Sequence, residues 1–321
     1  MKTHWRLFSS GLCEGSRSKI RGTLVVALFS MLYLFTASYT KTDHYNTEIS
    51  NRAVNETLKG KLLYRTSENK IVLKEFHGKS RTVGSSTVEG AKWSVDGSQF
   101  SFIESEGNVP YLSIFDQDGN RISRWELKDL TLNELAGLTW SPDGLYNALL
   151  KSGCQIVYVE TATGVSSTFS LIPSHTYSSL AWCPSNNKIA IAEGRSIWLV
   201  DPFQNDPPVT LLTSDKDPDP IEAMDWNAEG STLVFSGGLA NSKLKLVDVD
   251  GNNHITLTYS TGSGTEAIQG AAPCWYSNGE QIMFVRLHEE SIIWNIGLFI
   301  TDPKKEYEVY LHIPGYDPDC I

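Results

Sequence analysis

The densest run of carboxylates in the chain is Asp215-Lys216-Asp217-Pro218-Asp219-Pro220, with Glu222 two residues further on. Carboxylates this close repel one another, and a cation or a basic partner relieves that repulsion. The prolines stiffen the loop that presents them. His175, Tyr177 and Glu266 fall on other connections expected at the same face. Asp215, Asp217, Asp219, Glu222, His175, Tyr177 and Glu266 therefore form one candidate binding set. The plainer reading is a solvated, proline-stiffened loop beside a surface histidine. No G-x-S-x-G elbow offers a nucleophile, and His288-Glu289-Glu290 lacks the second histidine that a zinc-binding helix carries one turn on. The D-x-D-G runs at 116–119 and 248–251 lack the closing Glu of a calcium loop and read as hairpin turns. No catalytic residue, metal-ligand set or cofactor motif is expected.

The elements that position these groups are repeats. A Trp followed by a tight turn recurs at Trp93, Trp140, Trp182, Trp226 and Trp275, with gaps of 47, 42, 44 and 49 residues. A period in the forties is that of propeller blades. Each unit reads as an apolar strand ending near the Trp, a turn, and three further short strands. Gly97, Gly144, Gly230 and Gly279 stand four residues after their Trp, with Asn186 in the remaining unit. A left-handed turn residue accounts for that choice, Gly first and Asn next. A weaker unit comes first: KLLY at 61–64 and IVLKEF at 71–76 align with strands two and three, Ser80–Val83 with strand four, and Glu56 with the missing Trp. Six four-stranded blades follow. Either the 51–57 stretch or the C-terminal tail completes the first blade and closes the ring. The five Trp are expected in the core, packing adjacent sheets.

WSVDG at 93–97, WSPDG at 140–144, LVDPFQNDPPVTLLT at 199–213 and LVDVDGNNHITLT at 246–258 resemble the WD-like repeat of TolB-type propellers. The likeness runs over roughly residues 59–313. It implies an all-β, six-bladed propeller. Proteins similar to TolB are periplasmic and act mainly by binding other proteins, so the likeness implies a protein partner. The extra N-terminal α/β domain of that family is missing here, so its particular partners do not carry over.

The 321 residues carry a formal charge of -10. Residues 1–22 hold five Lys or Arg against Glu14, which leaves the remainder at -14. An acidic body argues against nucleic acid. The basic lead precedes an uncharged apolar run, TLVVALFSMLYLFTAS at 23–38. Read together these give a cytoplasmic tail at 1–22, a transmembrane signal anchor or signal peptide at 23–40, a linker at 41–58 and a propeller at 59–321. The fold expected is thus an all-β propeller with one N-terminal transmembrane helix, held in the periplasm or outside the cell. Cys154, Cys183 and Cys274 read as buried small apolar groups. The function expected is a membrane-anchored protein-interaction or scaffold module, more a binder than an enzyme. The alternative is a hydrolase, lyase or lactonase at the channel mouth, which needs metal ligands or paired acids on the inner strands. A sensory ectodomain for a sugar or peptide is a third reading.

Overall fold

The computed structural model describes residues 58–321, apart from 152–154, 172–176, 203–209, 215–219, 238–241, 262–263, 277–278, 291–292, 303–306, 312, 314 and 321. The basic tail, the apolar segment at 23–40, the linker as far as 57 and Glu56 lie outside the described residues.

Six four-stranded antiparallel sheets make up the described chain, with one extra hairpin. Blade one contains β1 (Lys61–Arg65), β2 (Lys70–Glu75) and β3 (Ser80–Ser85). Blade two runs from β4 (Lys92–Trp93) through β5 (Gln99–Glu106) and β6 (Val109–Asp116) to β7 (Arg121–Glu126). Blade three has β8 (Leu135–Trp140), β9 (Tyr146–Lys151), β10 (Gln155–Glu160) and β11 (Ser166–Ser170). Blade four has β12 (Tyr177–Trp182), β13 (Ile189–Glu193), β14 (Ser196–Val200) and β15 (Thr210–Ser214). Blade five has β16 (Ile221–Trp226), β17 (Thr232–Gly237), β18 (Lys245–Asp248) and β19 (Ile255–Thr256). The hairpin β20 (Thr258–Thr261) and β21 (Gly264–Ala267) then intervenes, an insertion the repeat pattern does not announce. Blade six has β22 (Ala271–Trp275), β23 (Ile282–Glu290), β24 (Ile293–Asp302) and β25 (Tyr307–Tyr310).

The last strand, β26 (Tyr316–Cys320), pairs antiparallel with β1 and gives blade one the order β26-β1-β2-β3. The C-terminal tail is therefore the closing strand. Leu62 pairs with Cys320, as Phe100 pairs with Trp93 and Leu233 with Trp226. The residue at the Trp position of blade one is thus Cys320, where the sequence alignment placed Glu56.

Blade strands sit in sequence where their residues can be buried. QIVYVE of β10 is buried along its middle, as a strand covered on both faces must be. SSTFS of β11, an outer strand, is largely exposed. The blades meet at six apolar clusters, one for each seam. Leu63, Ile71, Trp93 and Phe102 join blades one and two, and Ile114, Leu138, Trp140 and Val157 join blades two and three. Tyr158 and Trp182, then Ala181 and Trp226, then Val234 and Trp275 join the next three pairs. Leu58, Leu62, Tyr276 and Met283 join blade six to blade one. Each Trp packs onto the preceding blade. The Trp140 indole N–H donates to the Lys92 carbonyl at 2.9 Å, and that of Trp226 to the Ala181 carbonyl at 3.2 Å.

The turns after the Trp follow the expected chemistry. Gly97, Gly144, Gly230 and Gly279 have φ of 67°, 71°, 65° and 68°. Asn186 is not among the left-handed residues; its side chain instead accepts the Lys188 N–H at 3.0 Å, so the turn closes by a side-chain bond. The D-x-D-G runs are hairpin turns: Asp116 Oδ1 accepts the N–H groups of Asp118 and Asn120 at 3.0 and 2.8 Å. Cys183 and Cys274 are buried, as expected of small apolar groups.

Trp140 is 3 % exposed and bonded across a seam. Trp140→Ala should therefore cost about 3–5 kcal/mol, as large aromatic deletions in cores do. Chemical denaturation measures this, and an unchanged midpoint would contradict the assignment.

Candidate functional site

The inner strands β4, β8, β12, β16, β22 and β26 contact one another in cyclic order and wall the central channel. The residue before each Trp falls at one level of that wall: Lys92, Thr139, Ala181, Asp225 and Cys274, with Asp319 before Cys320. Three of these are acceptors, and they alternate round the ring. Asp319 Oδ2 of blade one accepts the Trp93 N–H at 2.5 Å. Thr139 Oγ1 of blade three accepts the Trp182 N–H at 3.1 Å. Asp225 Oδ2 of blade five accepts the Trp275 N–H at 2.7 Å. Each caps a backbone donor that the edge of an inner strand would otherwise leave unpaired.

Lys92 brings the opposite charge. Its Nζ lies 3.9 Å from Asp319 Oδ1, and the two side chains keep only 21 % and 13 % of their exposure. Burial works against the Lys92 charge, but Asp319, Glu89, Asp225 and the Cys274 thiol together hold its pKa above the ordinary lysine value. Burial likewise disfavours the Asp225 carboxylate; with Asp319 adding repulsion and Lys92 opposing it, the carboxyl is pushed up to about 7. Asp319 is raised too, by burial, against the pull of Lys92 and the Trp93 N–H.

A second layer lies at the start of the inner strands. Arg65 forks onto Asp317, Nε and Nη2 reaching Oδ2 at 2.9 and 2.8 Å, while its Nη1 donates to Asn69 Oδ1 at 3.1 Å. Asp317 sits at φ 46°, and Ala272 of β22 at φ 47°; each precedes a proline. A Cβ on Gly90 would come within 2.6 Å of Asp317 Cβ and 2.7 Å of its carbonyl oxygen, so only glycine fits there. Glu89 stands beside this contact. Its Oε2 is buried with no hydrogen-bond partner among the described residues. Burial pushes the Glu89 carboxyl up to about 7, with Lys92 lowering it and Asp317 raising it.

The acidic loop and its companions are placed differently. Asp215, Asp217, Asp219 and His175 lie outside the described residues. Glu222 is exposed on β16. Tyr177 is 3 % exposed at the head of β12, inside the cluster between blades three and four, so its ring is a core group. Glu266 lies on β21 opposite Tyr259. The groups that do converge are Lys92, Asp225, Asp319, Glu89, Asp317 and Arg65. The signal for two of them was adjacency to a repeating Trp. The signal for the closing strand was the match of Ala272-Pro273-Cys274-Trp275 with Asp317-Pro318-Asp319-Cys320. Among the described residues, no group of three or more His, Cys, Asp or Glu is placed to hold a metal ion.

No family model matches the chain, and no curated protein matches it. Solved structures do. The crystal structure of TolB from Acinetobacter baumannii superposes with a TM-score of 0.60 at 16% identity, over 89% of this chain and 74% of that one. The fold is that of a TolB-type six-bladed propeller. The hydrazine synthase of Kuenenia stuttgartiensis overlays more loosely, with a TM-score of 0.47 at 11% identity over 66% of this chain and 62% of that one. At these identities the TolB-type likeness is one of architecture, and the channel chemistry belongs to this chain's own residues.

The Asp225 carboxyl, raised from 3.8 to about 7, binds a proton in the folded chain where the unfolded chain has released it. Its stabilising contribution is complete below the unfolded value and is lost as pH rises through about 7. Asp225→Asn keeps an oxygen for the Trp275 N–H and removes the titration. Thermal melts between about pH 5 and about pH 8 should show a shallower decline for the variant than for the parent. Parallel declines would contradict the assignment.

Proposed function

We propose that this chain is a membrane-anchored, extracytoplasmic propeller that acts as a protein-interaction module. The observation that carries the reading is where the channel charges go. Asp225 and Asp319 each spend an oxygen on a neighbouring blade's backbone, and Lys92 sits beside them, so these groups serve ring closure before any ligand. The TolB-type architecture supports a binding role, since propellers present loops around a rigid ring. The anchor rests on the uncharged run at 23–38 behind a basic lead. Among the described residues, no helix is long and apolar enough to cross a membrane. The acidic run of Asp215, Asp217, Asp219 and Glu222 in the sequence favours a basic partner surface.

One observation favours a catalytic second reading: Asp225 and Glu89 both have carboxyls near neutrality, beside the Lys92 ammonium. General acid–base work wants that range. A hydrolase, lyase or lactonase activity that Asp225→Asn abolishes while the fold persists would favour it over the binding module.

Fractionation tests the main reading. The full-length chain should sediment with membranes, resist high salt and enter detergent, and externally added protease should reach the propeller. A cross-linked detergent extract should then yield one reproducible protein partner. Recovery in the soluble fraction, or repeated capture of nothing specific, would overturn it.

A further inference from the structure

Five seams of this ring are closed by an indole, and the sixth, between blades six and one, by Leu58, Leu62, Tyr276 and Met283. Where β26 meets β1 and β4 the chain also uses charge. Arg65 grips Asp317 at 2.8 Å, Lys92 lies 3.9 Å from Asp319, and the Trp93 backbone N–H donates to Asp319 at 2.5 Å. The Trp93 indole N–H, unlike those of Trp140 and Trp226, has no acceptor among the described residues.

The groups facing this junction come from every element around it. Arg65 comes from β1, and Tyr316, Asp317 and Asp319 from β26. Glu89 and Lys92 come from the approach to β4 and from β4 itself. Asp225 comes from β16 and Cys274 from β22. Fully ionised, this set places four carboxylates against two cations. Glu89 holds a backbone bond to Leu138 and faces Lys92, but its Oε2 has no hydrogen-bond partner among the described residues. Its free oxygen lies 3.7 Å from where a Cβ on Gly137 would stand, on the wall of blade three. Its neighbour Gly90 is pressed onto the Asp317 backbone.

We infer that β26 is a proton-governed clasp, holding the ring shut while Glu89 carries a proton and loosening when that proton leaves and Glu89 repels Asp317 across the Gly90 contact. Burial sets the Glu89 carboxyl at about 7, so the change falls near neutrality. Tyr316 titrates far above that range, its hydroxyl raised further by burial. What loosening uncovers is the edge of β1 from Leu62 to Arg65, whose ladder partner is β26.

Hydrogen exchange read by mass spectrometry, on the full-length chain in detergent and corrected for the intrinsic exchange rate, tests the clasp. A carboxyl moving from an ordinary value to about 7 changes a closing equilibrium about tenfold between about pH 6 and about pH 8. The peptide covering β1 should lose about tenfold in protection over that range, while peptides from β9 and β10 hold theirs. Glu89→Gln, neutral at every pH, should remove most of the loss in the β1 peptide, leaving the part that Asp225 contributes. Equal changes in β1 and in β9–β10 of the parent chain would overturn the inference whether or not the variant folds. A folded Glu89→Gln chain that kept the loss would overturn it as well.

Discussion

Ring closure is the constraint the rest of this structure answers to. A propeller whose first and last blades do not meet has two bare sheet faces and a bare inner strand, and water then reaches every seam beside the gap. Here the first three strands of blade one arrive at the start of the described chain and the fourth arrives at its end, so the closing ladder joins residues more than 250 apart. Such a contact has a large loop-closure cost, and it needs specific partners to hold one register. Cys320 is smaller than the Trp it replaces. At that seam Phe76 and Tyr276 meet edge to face at 5.8 Å, and the Tyr276 hydroxyl bonds to the backbone of Lys59. Charge adds specificity on the channel side, where β26 meets β1 and β4.

Charged groups in a narrow channel come at a desolvation cost, which pairing offsets only when the remaining oxygens also find donors. The alternating ring meets that condition at Asp225 and Asp319, each holding a backbone N–H as well as facing Lys92. Glu89 meets it in part, with a backbone bond to Leu138 but an unpartnered Oε2, and burial raises its carboxyl as it raises that of Asp225. The same physics that makes this spot expensive to ionise makes it responsive to protons. Stability and sensitivity therefore share one cluster, and the apolar seams elsewhere are free of both concerns.

The blades were legible because their signal is local. A Trp, a turn glycine at a fixed offset and an apolar strand sit within a dozen residues, and four of the six blades repeat all three. The channel was less legible. Lys92 and Asp225 could be read as inner-strand residues from the Trp that follows them, yet nothing in a linear pattern says that two blades on different sides of a ring aim at one point. Asp319 and Asp317 were hidden further, because their repeat carries Cys320 in place of the indole and stands at the far end of the chain. The left-handed Asn expected at position 186 failed for a related reason: a side-chain bond to the Lys188 N–H closes the turn without a positive φ. Tyr177, expected at the rim, is drawn into the seam because the head of β12 packs against blade three.

The ring stands or falls on the pairing of the last strand with the first. Leu62 and Cys320 face each other in that ladder, at a spacing a disulfide can span. Mild oxidation of a Leu62→Cys chain should join residues 62 and 320 within a single molecule, found by mass spectrometry as one linked peptide pair. A Cys320 that stays free, or one that links only between molecules, would show that the C-terminal strand does not close this ring.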